Sequence, residues 1–315
     1  MKRSGLLLLL LAACLPLCAA GPGAAGEGVT FRFHPTDTSI TLIDTEVRTD
    51  TQTMGSGKAQ ETTVTVTLEK SKTRIVKTAK GYTVTSITLS LRKAVNGVEE
   101  EPDGFDKAFM AVPVTAELNN AGRLIAFKGF GELRSKALEL MEDEEERAFF
   151  EHAMTKERME LLAQGQWAAA NHTLLGVTKR PGDTWTSRLQ WSLFSPSLTP
   201  VTTDYAFIRM YNVGGHPCAM LKNTITPDLK TATRDLAKMF ADLALLPEET
   251  DPKFTVESYT EEYIRYIDPA TFITWKETES STKRFTVTID GQEIVTTETV
   301  ESTTTTAVDY GYRET

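Results

Sequence analysis

Cys14 is the residue to which the sequence assigns the most specific chemistry. It ends the segment Leu11-Ala12-Ala13-Cys14, which has the form of a bacterial lipobox, where the cysteine thiol is acylated. Lys2 and Arg3 precede a short apolar run, as in a cleaved signal peptide. That run is too short to span a bilayer, which takes about 20 apolar residues. The pattern predicts export, lipidation of Cys14 and anchoring to a membrane through the attached lipid.

A second cleavage site competes with the lipobox. An ordinary signal peptidase could cut after Ala20, so residues 1–20 are a signal peptide under either alternative. Residues 21–28 are then a flexible, glycine-rich tether. A lipidated chain would lie in the bacterial cell envelope, and Leu15 after the cysteine favours the outer membrane or the cell surface. Ordinary cleavage would leave a periplasmic or secreted protein.

The other residues that could do chemistry form no catalytic or metal-binding motif. Residues 54–58 resemble the last part of a phosphate-binding loop. The motif also requires Gly at position 52 and Ser or Thr at position 59, where this chain has Gln52 and Ala59. The histidines are dispersed along the chain: His34, His152, His172 and His216. Cys218 is predicted to be a buried structural thiol. We therefore expect no enzymatic activity, no cofactor and no metal ion.

Composition narrows the class of protein further. The 315 residues carry a formal net charge of −9 and no basic stripe, which argues against a nucleic-acid partner. Three cysteines do not make a disulfide framework, so the chain must be stabilised by its core. This length suits one large domain or two lobes.

Alternating apolar and polar residues predict long antiparallel strands rich in threonine. The alternation is strict in 62–69 and continues in 82–91, and three long strands are predicted over 254–267, 272–289 and 293–308. Asp290-Gly291 joins the last two as a hairpin turn. The acidic segment between Glu99 and Asp106 is predicted to be a solvated loop.

Two regions instead repeat their apolar residues at helical spacing. The first is a segment of about 40 residues that starts near Leu133 and contains at least two helices. The second region is a single helix. It is predicted to begin at Thr226-Pro227, with Thr226 as the N-cap, and to carry an apolar stripe from Leu229 to Leu243. Strands that alternate with helices in this order indicate an α+β fold.

The predicted architecture is a long, curved antiparallel sheet covered by helices over residues 29–308. The sheet would be an open or half barrel in a single α+β domain, and a division into two lobes near 176–183 remains an alternative. Helices on the concave side of such a sheet would leave an apolar groove.

Three turns carry a resemblance to a known family: Leu118-Asn119-Asn120-Ala121-Gly122-Arg123-Leu124, Pro181-Gly182-Asp183-Thr184-Trp185 and Ile267-Asp268-Pro269-Ala270-Thr271. Their order and spacing resemble an uncharacterised family of exported bacterial proteins, many of them lipoproteins. The layout is also similar to the lipoprotein-localisation-factor class. That similarity implies an open, curved sheet under helices that binds acyl chains.

The residues predicted to contact such a ligand are Trp185, Trp191, Leu236 and Phe240. The alternative for all four is packing in the core. We therefore expect an envelope protein that binds a lipid or another apolar small molecule. The alternative is a surface scaffold or protein-interaction module without a ligand cavity. Protein partners, the ligand and the oligomeric state are left open.

Overall fold

The computed structural model describes residues 27–56, 59–191, 199–242 and 252–309. Several predicted features lie outside the described residues: the signal peptide with Cys14, most of the tether, and Leu243. Residues 57 and 58, at the end of the segment compared with a phosphate-binding loop, also lie outside them. Strand accounts for about 58% and helix for about 22% of the structure, which confirms the α+β prediction.

Strands make up most of the described chain, and several exceed fourteen residues. Their bounds are β1 Val29–Thr30, β2 Ser39–Ser56, β3 Ala59–Thr78, β4 Gly81–Val95, β5 Val98–Glu100, β6 Val114–Asn119, β7 Leu124–Lys128, β8 Thr178–Lys179, β9 Thr184–Trp191, β10 Thr199–Val213, β11 His216–Pro227, β12 Lys253–Ile267, β13 Thr274–Ile289 and β14 Gln292–Val308.

Twelve of the described strands form one antiparallel sheet. Its order is β7-β6-β4-β3-β2-β14-β13-β12-β11-β10-β9, with β5 paired to β4, and β1 and β8 form a separate two-stranded sheet. The edge strands β7 and β9 are not paired with each other, so the sheet formed by the described strands is open. It contains strands from both sides of residues 176–183.

Helices occupy the connections where the apolar period changes. Their bounds are α1 Gly104–Ala111, α2 Phe130–Leu140, α3 Glu144–Ala153, α4 Lys156–Asn171 and α5 Leu229–Asp242. Short polar residues cap them as expected: the Asp143 side chain accepts hydrogen bonds from two backbone amides of α3, and Thr155 accepts one from Arg158 of α4.

Two local predictions were wrong at helix starts. The predicted N-cap Thr226 and its neighbour Pro227 belong to strand β11, where Pro227 pairs with Val201. Asp228 is the residue whose carboxylate accepts a hydrogen bond from the Thr231 amide, at 2.9 Å. The acidic segment is not a loop throughout, because β5 lies in it and Asp103 caps α1.

The helices pack on one face of the large sheet, which we call the inner face. Helices α1 to α4 form a cluster around Leu133 and Phe150 beside β6 and β7. Helix α5 packs on β12 and β10, with Ala232 and Leu236 buried. Because side chains alternate along a strand, every second residue faces these helices.

Candidate functional site

A cavity of about 460 Å³ lies between helix α4 and the inner face of the sheet. Most of its lining is apolar. The lining includes side chains of the sheet, of α4, of the segment between β1 and β2 and of the turn between β12 and β13: Phe33, Leu42, Ile75, Val84, Phe127, Ala163, Trp167, Ala170, Phe272 and Ile273. Its volume is within the range of about 300–1,000 Å³ that is usual for small-molecule sites.

The floor of the cavity is set by the register of three neighbouring strands, β2, β3 and β4. Ile75 of β3 lies opposite Val84 of β4 and opposite Ile40 of β2. Leu42 is two residues beyond Ile40, so it is on the same face of β2. Adjacent strands are about 4.8 Å apart, and these side chains therefore form a continuous apolar surface.

Helix α4 is the roof of the cavity, and its C-terminal turn is bonded to the sheet. The Arg265 guanidinium of β12 donates to the Ala170 carbonyl at 2.7 Å, and the Tyr205 hydroxyl donates to the Ala169 carbonyl at 3.4 Å. Both satisfy carbonyl groups that a helix end leaves without intrahelical partners. Trp167 lines the cavity, and its indole Nε1 is buried without a hydrogen-bond partner.

One end of the cavity is polar. Asp44 accepts hydrogen bonds from the hydroxyls of Thr306, at 2.6 Å, and Thr73, at 3.3 Å. Burial nevertheless raises the pKa of the Asp44 carboxyl. Arg265 also lines this end and forms an ion pair with Glu277 at 2.8 Å. The cavity thus combines a long apolar wall with a polar end.

Beyond this polar end the inner face becomes strongly charged. Arg48 is only 1% exposed, and its Nε and Nη2 donate to Asp50 at 2.9 and 3.0 Å. Burial lowers the pKa of Arg48 to about 10, while burial raises the pKa of Glu46 and of Asp50 to about 7. These shifts show that the charged groups are removed from water more than they are compensated by neighbours.

A buried carboxylate farther along the same face accepts hydrogen bonds on both of its oxygens. Glu261 accepts hydrogen bonds from the hydroxyls of Tyr259 and Tyr263, and from the indole of Trp191 at 3.2 Å. Burial and the Glu261 charge raise the pKa of both tyrosines well above its ordinary value. This group joins β9 to β12 and holds the partly buried Trp191 against the inner face.

Three of the four ligand residues predicted from the sequence lie in one cluster. Leu236 is 1% exposed, and Trp191 and Phe240 pack against its cluster below α5. Trp185 lies elsewhere, stacked on Tyr205 at 5.2 Å. None of the four lines the cavity below α4. Their role in ligand binding stays a prediction.

The residues that line the cavity were not selected from the sequence. Leu42, Ile75 and Val84 belong to different strands, and only the pairing of those strands brings them together. The helical spacing that places Ala163, Trp167 and Ala170 on one side of α4 was the available signal. It could not reveal which strands lie opposite.

The remaining chemical candidates are separated in space or buried. Cys218 is fully buried, and burial raises the pKa of its thiol to about 11. His216 stacks on Trp275, whereas His34 approaches Tyr82. Within the described ranges, no three His, Cys, Asp or Glu side chains are grouped to hold a metal ion. None of the helices in those ranges is long and apolar enough to cross a membrane.

Comparison with known proteins gives matches among solved structures. No family model and no curated protein sequence matches the chain. A structure describing lipid–protein interactions in lipovitellin is 11% identical, with a TM-score of 0.44 over 88% of this chain and 25% of the other. This chain therefore spans about a quarter of that one.

Two further structures cover most of both chains. One is a candidate outer membrane lipoprotein-sorting protein domain from Vibrio parahaemolyticus, 9% identical, with a TM-score of 0.18 over 86% of this chain and 87% of the other. The second is DynF from the dynemicin biosynthesis pathway of Micromonospora chersina, 8% identical, with a TM-score of 0.19 over 94% and 93%. These TM-scores are low, so function must be argued from the geometry of the site.

Proposed function

We propose that this protein binds the alkyl chain of a lipid, or of a lipoprotein acyl group, in the cavity below α4. The observation that carries the proposal is the apolar lining between helix and sheet, which ends at the polar side chains of Asp44 and Arg265. An amphiphile has the same division into a long apolar part and a polar end.

Burial of an alkyl chain supplies the binding energy in this mechanism. Each methylene group removed from water contributes about 0.8 kcal/mol. The Trp167 indole N–H is a donor without a partner and would meet an ester or carboxyl oxygen of the ligand. The site needs no reaction step, and we propose a binding protein, not an enzyme.

The proposed location follows from the leader sequence. We propose export to the bacterial cell envelope, with acylated Cys14 holding the protein on the outer membrane or the cell surface. Cleavage after Ala20 would instead release it into the periplasm or the medium. The alternative function, a surface scaffold, expects an interior without a ligand cavity, whereas a cavity is present below α4.

Native mass spectrometry of the purified protein, followed by extraction and identification of co-purified lipid, tests the proposal. We expect a bound species with the mass of an amphiphile. In Ala170→Phe the added ring fills space in the cavity, and the loss of about two buried methylene groups weakens binding about tenfold.

Gln164→Phe is the matched control. Gln164 is exposed on the same helix and does not line the cavity, so this variant should retain the lipid. Thermal unfolding of both variants verifies that they fold. A wild-type protein that neither carries lipid nor binds added fatty acid would contradict the proposal, as would unchanged binding by folded Ala170→Phe.

A further inference from the structure

The inner face of the sheet carries a line of buried polar residues that crosses six strands. Successive members face each other across the strands, and Tyr263 lies in the same line between the last two. We call five of these residues the polar row: Thr67, Arg48, Ser302, Glu279 and Asn223.

Every residue of the polar row is more than nine-tenths buried and has a side-chain atom without a hydrogen-bond partner. These atoms are Thr67 Oγ1, Arg48 Nη1, Ser302 Oγ, Glu279 Oε2 and Asn223 Oδ1. A buried polar atom without a partner costs about 1–3 kcal/mol, and it is uncommon in folded proteins. Five in one cross-strand line therefore point to a polar ligand.

The polar row is aligned with the cavity along two adjacent strands. Asp44 and Thr306 line the cavity and face each other across β2 and β14. Arg48 and Ser302 are four residues farther along the same strands, on the same face and again directly paired. At about 3.3 Å per residue, the row is about 13 Å beyond the edge of the cavity. A single amphiphile could therefore reach both.

Charge on this part of the inner face is unequal. The polar row and the rows on either side of it carry three cationic groups, Arg48, Arg265 and Lys93, the last opposite Thr67 on β4. They carry six carboxyl groups: Glu46, Asp50, Glu69, Glu261, Glu277 and Glu279. Burial, with the Glu261 charge next, raises the pKa of Glu279 well above its ordinary value. The raised pKa favours the protonated, neutral carboxyl, and a ligand amine beside Glu279 would instead stabilise the carboxylate.

The unpartnered atoms also define the hydrogen bonding of the ligand. Arg48 Nη1 is a cationic donor, which requires an anionic or neutral acceptor. Glu279 Oε2 requires a hydrogen-bond donor when the carboxyl is ionised. The Ser302 hydroxyl, which lies between Arg48 and Glu279, can either donate or accept a hydrogen bond. A metal ion would not satisfy Arg48, and the described residues contain no group of three His, Cys, Asp or Glu placed to hold one.

We propose that the polar row binds the head of the amphiphile whose alkyl chain occupies the cavity, and that this head is zwitterionic. Its anionic group lies at Arg48 and its protonated amine at Glu279. This inference rests on the proposed function. A phosphate and an amine on one lipid head have this chemistry.

The test compares probes that share one alkyl chain and differ in the head. The probes are a lysophosphatidylethanolamine, the corresponding lysophosphatidylglycerol and the free fatty acid, each titrated calorimetrically into the purified protein below its micelle concentration. A hydrogen bond to a charged group changes affinity by about ten- to a hundredfold. We expect the ethanolamine head to bind more tightly than the other two by about that factor.

Glu279→Gln should remove the preference for the amine while leaving fatty-acid binding unchanged. Glu298→Gln is the matched control, because Glu298 is on the same face but forms an ion pair with Lys283 at 3.3 Å. This control should keep the preference. Ser302→Ala is a smaller change, and it should weaken only the two phospholipid probes. If Glu279→Gln does not fold, Ser302→Ala takes its place in the test: weaker binding of only the two phospholipids supports the inference, and any other pattern opposes it.

The outcomes separate this inference from the proposed function. Equal binding of all three probes by the wild type would overturn the zwitterionic head and leave chain binding intact. Equal losses in folded Glu279→Gln and Glu298→Gln would also overturn it. Absence of binding by any probe would overturn the proposed function, and this inference with it.

Discussion

Arg265 of β12 and Ala170 of α4 are joined by a 2.7 Å hydrogen bond from the guanidinium Nη1 to the backbone carbonyl. The bond fixes the C-terminal turn of the roof helix to strand β12, at the polar end of the cavity. A cation at this position also interacts favourably with the negative end of the helix dipole. Arg265 additionally pairs with Glu277, so one side chain connects the roof, the sheet and the charged part of the inner face.

The cluster below α5 is expected to support stability, not ligand binding. Leu236→Ala removes a fully buried side chain and should lower the free energy of unfolding by about 2–5 kcal/mol. Chemical denaturation measures this loss, and Leu229→Ala, at an exposed position of the same helix, should cost much less. Loss of bound lipid from folded Leu236→Ala would show instead that the ligand lies here.

Stability should decrease as the pH rises from about 5 to about 8. Glu46 and Asp50 have ordinary values of 4.5 and 3.8 and a pKa of about 7 in the folded protein. The folded state therefore holds more protons than the unfolded state between these values, and its advantage is lost as the pH rises through 7. The melting temperature, measured at both pH values, should be lower at the higher one.

Glu46→Gln tests the cause of this pH dependence. The amide resembles the protonated carboxyl group, so the variant should have a higher melting temperature at the higher pH and a weaker pH dependence. Glu301→Gln changes an exposed carboxyl on the opposite face of the sheet and should behave like the wild type. Equal effects of the two substitutions would remove the burial explanation.

Acylation should depend on Cys14 alone. Cells that produce the wild-type chain and receive radiolabelled palmitate should incorporate label into the protein, and Cys14→Ala should abolish it. Cys18→Ala is the control and should remain labelled. Label in Cys14→Ala, or an unlabelled wild-type protein that is cut after Ala20, would favour the ordinary signal peptidase.

The sequence predicted the secondary structure well where alternation was strict. Strands β12 and β14 begin within one residue of their predicted starts and end at the predicted residues, because threonine-rich alternation is a local property. The end of β11 was missed because Thr226 and Pro227 suit a helix start as well as an edge position in a strand.

The site was less predictable because its residues come from distant segments. Leu42 and Trp167 meet only when β2 and α4 are placed on the same face, which no local pattern specifies. The buried charges were missed for a different reason: polar residues that alternate in a strand usually face water. The mixed signs of Glu46, Arg48 and Asp50 at every second position were the available indication that charges compensate one another inside.

The pairing of β2 with β14 constrains when this protein can fold. These strands are neighbours in the middle of the sheet, although more than two hundred residues separate them, and Leu42 is paired with Val308. Contacts of such long range form slowly. The halves of the sheet cannot join until β14 is available, so a chain that crosses a membrane during export would still lack its central strand pair. Under the proposed export, the two halves of the sheet would join only after β14 has crossed the membrane.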